Sequence, residues 1–431
     1  MTEPVRDVFF FIRAYNDLDI QLSLISAFAS DSRFRVEVFF YPSDGFITHP
    51  HVHEATNYMK RIYGIQFRSV LELPGCPLWL RALYLLKKWA YGIRVHSCYG
   101  RILPLALIAR GIDAGLGKAL RTALSQDNPA WLHRISRSWN PYLVFTDEIL
   151  FQPDRSPLID HIIPALVERG SHLYAILTGH RVYKAVYPTG ADKPQPYRPS
   201  KAHRYFVPSE KNKAIYAQMF PKETITVSGN LRMDTGWVDT LHRDVLPAPA
   251  SLPRRKVNVV LMLSKLDYGV NVDQLKDTIR RLGAMDDVAL AIKPHTRAMK
   301  FNFMTREEIG HAHVVDHIPS TTLIGWGDVI LMTGSSIVFH AMVKGKIAGF
   351  LRYCQNLETI FDDGQGCLGF ESLDSLQSYL QELVINGVPT EIVAESQLQW
   401  LAHEVHGDVA GGHTAAACKA TILTDLGISP S

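Results

Sequence analysis

Cysteine is scarce in this chain. Five are scattered over 431 residues (Cys76, Cys98, Cys354, Cys367 and Cys418), with no CxxC pair and no Cys/His ligand spacing. An odd, irregular set argues against a disulfide framework and against a structural zinc site. Long apolar runs are missing too. No stretch is long enough to span a bilayer, and the opening MTEPVRDVFFFIRAYND meets charge too early for a signal peptide. Nor is there a charge excess: 45 Lys and Arg against 42 Asp and Glu leave a formal +3. A nucleic-acid binder carries a stronger basic surplus. The absences point to a reducing, cytoplasmic setting without a nucleic-acid partner. One further lack is local. Residues 77–111 contain Trp, Leu and Tyr with interleaved Lys and Arg, and no acid. That composition fits a helical pair lying on a membrane surface, or equally a helical hairpin packed on the domain with its basic face in water.

What is present is one pattern, repeated. In the first half, apolar runs fall at 5–14, 34–42, 142–150, 172–179, 204–209 and 224–230. Most are near-continuous, as strands are when a parallel sheet is covered on both faces. Helical patterns at 19–30 and 210–220 lie between them, giving the βαβ signature of a doubly wound domain. The proline-rich stretch VLPAPASLPRRK (245–256) then reads as a linker. Beyond it the pattern restarts, with strands expected at 257–263, 288–294, 313–318, 328–334 and 346–353, and helices at 272–285 and 335–345. The length also asks for two cores. The expectation is an α/β protein of two Rossmann-like domains, 1–244 and 257–395, with parallel sheets facing across a cleft. Helices over 396–431 would cross back to the first domain.

Ligands of such domains bind at the carboxyl ends of the strands. The run 288–294 leads into IKPHTR, where Lys293, His295 and Arg297 suit a phosphate leaving group; alone, they read as a solvated basic turn. MTGSSIVFHAMVKG puts Gly334, Ser335 and Ser336 where a strand runs into a helix, as an anion site or as simple caps. Two such features on one sheet favour the anion site. VSGNLRMD sets Asn230, Arg232 and Asp234 after another strand end, near the hinge. Asp234 reads as a reactive carboxylate held ionised by Arg232, as a surface salt bridge, or as the cap of the following helix. LSKLDYG offers Ser264 and Lys265 to a phosphate, or is a polar turn. Asp147-Glu148 and His180-Arg181 lie at first-half strand ends, and paired acids there suit acid–base work or an N-cap. The Asp-x-Asp triplet Asp17-Leu18-Asp19 reads as the N-cap of helix 19–30, and no metal is expected.

KPHTR followed by a Ser-Ser pair opening a helix resembles the lysine/His-Pro and Ser-Ser motifs of bacterial sialyltransferases, capsule Kdo transferases and CDP-glycerol polymerases. VPSEKNKAIYAQMF…ITVSGNLRMD resembles the GNxRxD-ending segment of surface-polysaccharide proteins of this kind. These are GT-B glycosyltransferases that use cytidine nucleotides without a metal, and the resemblance covers 207–346. Thr296 stands where many of them have proline. Asp362-Asp363-Gly364 lies in the second half, whereas the comparable sialyltransferase motif belongs to the first.

Retaining β-Kdo transferases are the most similar in motif. By that resemblance Asp234 is the nucleophile, Glu148 the assisting carboxylate, and Lys293, His295, Ser335 and Ser336 hold CMP. Arg232 or Arg297 would hold the sugar carboxylate as a fork, and Asn230 and His180 would border the sugar. The implied activity is transfer of Kdo, or a related acidic sugar, from a CMP-sugar to a saccharide or lipid-linked saccharide. It would serve lipopolysaccharide or capsule synthesis, without a cofactor, in the cytoplasm or peripherally on the inner membrane. Another CMP-nonulosonate or CDP-glycerol-type transferase, a nonhydrolysing sugar-nucleotide epimerase and an inactive scaffold remain as alternatives.

Overall fold

Apolar runs without alternation become strands when both faces of a parallel sheet are covered. The computed structural model of the chain describes residues 4–13, 15–40, 50–73, 76–99, 111–112, 115–116, 119, 137, 139–147, 157–177, 182–184, 202–217, 220–246, 251–295, 301–362, 366–389 and 395–429. The first sheet contains β1 (Arg6–Ile12), β2 (Phe34–Phe40), β3 (Gln66–Ser69), β4 (Leu143–Thr146), β5 (His172–Ile176), β6 (Arg204–Val207) and β7 (Ile225–Val227). The second contains β8 (Val257–Met262), β9 (Val288–Lys293), β10 (His313–Val314), β11 (Val329–Met332), β12 (Ile347–Leu351) and β13 (Leu368–Phe370). All described pairings within them are parallel.

The strand orders are β3-β2-β1-β4-β5-β6-β7 and β10-β9-β8-β11-β12-β13. Each sheet therefore winds outward in both directions from its first strand, the doubly wound arrangement. Side chains alternate across each sheet. Val8, Phe10 and Ile12 enter one core with Phe28, Phe145 and Trp237, while Phe9 and Phe11 enter the opposite core with Phe39, Leu80 and Tyr84. In the second sheet Val260 and Met262 face one side, Val259 and Leu261 the other.

Several elements differ from expectation at their ends. The first helix runs Tyr15–Ala29, so Asp17 and Asp19 lie inside it and do not cap it. Both are buried and pair with arginines, Asp17 with Arg13 at 3.7 Å and Asp19 with Arg232 at 2.6 Å. The run 313–318 is a strand only over His313–Val314. The helix expected at 335–345 is regular only over Val338–Val343, with Ser335 and Ser336 in the turn before it. Of 77–111, the structure describes one helix, Leu78–Tyr99, and residue 111. Strand β3 has Phe67 as its only apolar residue, and β13 is only three residues long, so neither stands out.

The tail touches both halves. Trp400, Leu401 and Val405 join a core of the second sheet, and Ala415, Cys418, Ile422 and Leu423 from helix Thr414–Asp425 join a core of the first. Between them the backbone turns sharply through Gly407, Asp408, Gly411 and Gly412, all at positive φ. This crossing presses on Gly229 (φ 77), where an added Cβ would lie 2.4 Å from Thr414 Cγ2 and 2.5 Å from the His406 carbonyl oxygen. Gly229→Ala should thus destabilise the protein by more than about 1 kcal/mol, since strain and clash add. Urea unfolding measures this, and an unchanged midpoint would show that the crossing is loose.

Candidate functional site

In a doubly wound sheet the chain leaves neighbouring strands in opposite directions at the switch point, and a crevice opens there. The first sheet switches between β1 and β4, and the second between β8 and β11. A cavity of about 210 Å³ lies where loops from both sheets meet. Asn16 and Arg232 line it from the first-sheet side. From the second come Met262, Leu263, Lys265 and Tyr268 at and after the end of β8, Lys293, Pro294 and His295 at the end of β9, and Ser320, Ser335, Ser336 and Ile337. Its charged lining is Arg232, Lys265 and Lys293, with His295 beside them, and no Asp or Glu is among the described lining residues.

Each cation is held. Lys293 is only 3% exposed, and its ammonium donates to the Asp316 carbonyl at 2.6 Å. Burial lowers its pKa to about 8, partly offset by the Asp316 charge. The Lys265 ammonium lies 4.9 Å from the centre of the Tyr268 ring, a cation–π distance. Arg232 places its Nε 2.6 Å from a carboxylate oxygen of Asp19.

The turn after β11 is braced from several directions. The Tyr183 hydroxyl donates to the Gly334 carbonyl at 3.0 Å, and Gln355 Nε2 donates to the Thr333 carbonyl at 2.6 Å. Gly334 has φ 114, and a Cβ there would come 2.9 Å from the Tyr183 oxygen. Ser335 Oγ accepts from the Ile337 amide at 3.4 Å. Ser264 is buried, with its hydroxyl 2.8 Å from that of Thr333. It ties the ends of β8 and β11 together and is not among the cavity-lining residues.

Asp234, expected as a nucleophile, a surface salt bridge or a cap, makes the contacts of a cap. Asp234 is buried, and both its oxygens are engaged: Oδ1 accepts from the Trp237 amide at 2.9 Å and Oδ2 from the Ala415 amide at 3.0 Å. It caps helix Thr235–Thr240 and supplies an acceptor to the first turn of the C-terminal helix. Asp234 thus serves two helix starts and is not among the cavity-lining residues. The Asn230 side chain accepts from the Arg232 backbone amide, and the Asn230 backbone amide donates to the Val405 carbonyl at 2.7 Å. Asp147 is fully buried beside Arg13 at 3.2 Å. Glu148, His180 and Arg297 lie outside the described residues.

Sequence reasoning missed Asn16, Tyr268, Ser320 and Tyr183. Ser320 had a signal, as the first residue of a helix after Pro319. Tyr183 had none, because its bridge to Thr359 joins segments far apart in the chain. Among the described residues no group of three His, Cys, Asp or Glu converges as a metal site.

Solved structures match the chain over almost its whole length. A putative UDP-N-acetylglucosamine 2-epimerase from Listeria monocytogenes is 14% identical, with a TM-score of 0.57, covering 98% of this chain and 97% of its own. The UDP-GlcNAc 2-epimerase from Neisseria meningitidis, bound to UDP-GlcNAc, is 12% identical with a TM-score of 0.54, covering 96% and 99%. The wall teichoic acid polymerase TagF, soaked with CDPG, is 12% identical with a TM-score of 0.51, covering 99% and 90%. The fold is GT-B. No protein-family model matches the chain, and no curated protein matches it by sequence. The identities are low enough that the likeness concerns the GT-B architecture alone.

The capping geometry makes a separable prediction. Asp234→Ala leaves two buried amides without their acceptor and should cost about 1–3 kcal/mol. Urea denaturation reads this directly, and unchanged stability would show that the two contacts are dispensable.

Proposed function

We propose that this GT-B chain is a glycosyltransferase that moves an acidic sugar of the Kdo type from a CMP-sugar to a saccharide acceptor, free or lipid-linked. The observation that carries the reading is the cavity between the two switch points, lined by Arg232, Lys265, Lys293 and His295 with no acid among its described lining residues. A sugar nucleotide brings negative charge on its phosphate, and an acidic sugar adds a carboxylate. Lys293 and His295 face the phosphate in this proposal and stabilise the charge that develops as the glycosyl bond breaks. The hydroxyls of Ser335 and Ser336 add neutral donors, and Lys265 supplies a further charge. Arg232 receives the sugar carboxylate, with Asp19 behind it fixing its position. Arg297 is kept as a second candidate for that group. The assignment of CMP and Kdo rests on the KPHTR, Ser-Ser and GNLRMD motifs.

With Asp234 accepting from two backbone amides, direct displacement is favoured over double displacement through it. Glu148, next in sequence to Asp147 at the carboxyl end of β4, takes the role of general base in a direct displacement.

A second reading is a nonhydrolysing sugar-nucleotide epimerase, favoured by the UDP-GlcNAc 2-epimerase structures that share the fold. Ligand-dependent melting separates the two, because a ligand that binds only the folded state raises its stability. CMP should raise the melting temperature more than UDP or GDP does. Equal or greater stabilisation by UDP, with conversion of UDP-GlcNAc in the absence of any acceptor, would select the epimerase.

The buried lysine sets the pH dependence. In the free site Lys293 is charged below about pH 8 and neutral above it. A bound phosphate favours the charged form and raises that pKa toward the ordinary lysine value. CMP affinity attributable to Lys293 is therefore fully present below pH 8 and declines as pH rises beyond it. Lys293→Gln should weaken binding at neutral pH and flatten the decline, as followed by calorimetry at several pH values. A wild-type affinity that stays level through pH 9 would remove Lys293 from the phosphate site.

A further inference from the structure

Helix Leu78–Tyr99 is apolar on two faces. Leu80 and Tyr84 are buried in a core of the first sheet, which fixes the helix to the domain. The opposite face carries Leu78 (82% exposed), Trp79 (59%), Leu86 (53%) and Trp89 (63%), with Leu85 and Ala82 between them. Leu78, Ala82, Leu85 and Trp89 recur at i, i+4, i+7 and i+11, so they form one stripe, and Trp79 and Leu86 widen it. Arg81 is exposed on the same side.

The charge around this stripe has one sign. Between Glu72 and Asp113 the sequence has Arg81, Lys87, Lys88, Arg94, Arg101 and Arg110 and no acid. Exposed tryptophan beside leucine, in a stretch of sequence whose only charges are cations, is the chemistry of a surface that meets lipid headgroups and the top of the acyl region. A second copy of the same face would bring like charges together, so self-association is disfavoured. No described helix is long and apolar enough to cross a membrane, so the contact would be with the surface.

The stripe also has a useful position. The chain reaches this helix from the carboxyl end of β3, and all strands of the first sheet are parallel. Its start thus belongs to the sheet edge from which Asn16 and Arg232 line the cavity.

We propose that the Leu78–Trp89 face docks the enzyme on an anionic lipid surface, with the cleft edge of the first domain toward the bilayer. The docking itself stands on the exposed stripe and its charge. Its purpose, bringing a lipid-linked acceptor to the cleft, rests on the transferase reading above.

The full chain is mixed with vesicles of phosphatidylcholine alone or of phosphatidylcholine and phosphatidylglycerol in equal parts, and the sedimented fraction is measured. Binding should be strong to the mixed vesicles, weak to the neutral ones and reduced by salt. Arg81→Gln should weaken it by about fivefold, the effect of one basic residue near a charged surface. The triple variant Trp79→Ser, Leu86→Ser, Trp89→Ser should abolish it, while the melting-temperature shift with CMP in solution stays as in the wild type. Failure of the CMP shift in the wild type would count against the transferase reading and leave the vesicle result standing. The docking proposal is overturned if the wild type stays in the supernatant, or if the triple variant sediments like it. It is equally overturned if the face proves to hold a dimer that the variant dissociates.

Discussion

Parallel strands put all their carboxyl ends on one edge of a sheet, and this constraint governs the rest of the molecule. Helices must return the chain across the faces, so loops that carry chemistry collect on that edge. Two sheets of this kind, wound outward from β1 and from β8, bring those edges to one cavity. Arg232 comes from the loop after the last strand of one sheet, and Lys293 from the end of a strand in the other. Neither sheet alone assembles the group.

Gathering cations without acids among them carries an electrostatic cost, and the surrounding structure shows how it is offset. Lys293 surrenders most of its hydration and receives the Asp316 carbonyl in return, which leaves its charge easier to lose than that of a solvated lysine. Lys265 lies over an aromatic ring. Arg232 is balanced from behind by Asp19, which is buried inside the first helix. Asp19, the counter-charge of Arg232, is not among the cavity-lining residues.

The tail serves the same assembly. Helix Thr414–Asp425 packs on the first domain, with Lys419 reaching Asp31 at 2.8 Å and Arg204 pairing with Asp425. The segment before it packs on the second domain. Asp234 joins this crossing to the loop that carries Arg232, because one carboxylate caps the short helix after that loop and also accepts from Ala415. Asn230 reinforces the joint through Val405. The GNLRMD run thus orders a junction and delivers one arginine from it, which explains why a motif rich in polar residues is nearly all buried.

The sequence by itself determined the architecture, because unbroken apolar runs at βαβ spacing have few other ways to be satisfied. The strand ends at Lys293 and the Gly334–Ser336 turn were legible for the same reason, since a strand stopped by proline or glycine shows where its loop begins. Strand lengths and short edge strands were less legible, as β3, with Arg68 and Gln66 among its four residues, lacks an apolar signature. What only the tertiary structure decided was which partner each of these polar groups meets. Asp19 lies inside the first helix and pairs with Arg232; Asp234, open to nucleophile, salt bridge or cap, accepts from two helix-start amides; Ser264, open to phosphate ligand or polar turn, meets Thr333. A carboxylate or hydroxyl has the same chemistry in all these roles. Its role depends on which donors come within about 3 Å, and here those donors come from segments as distant as Ala415, beyond the reach of any local pattern.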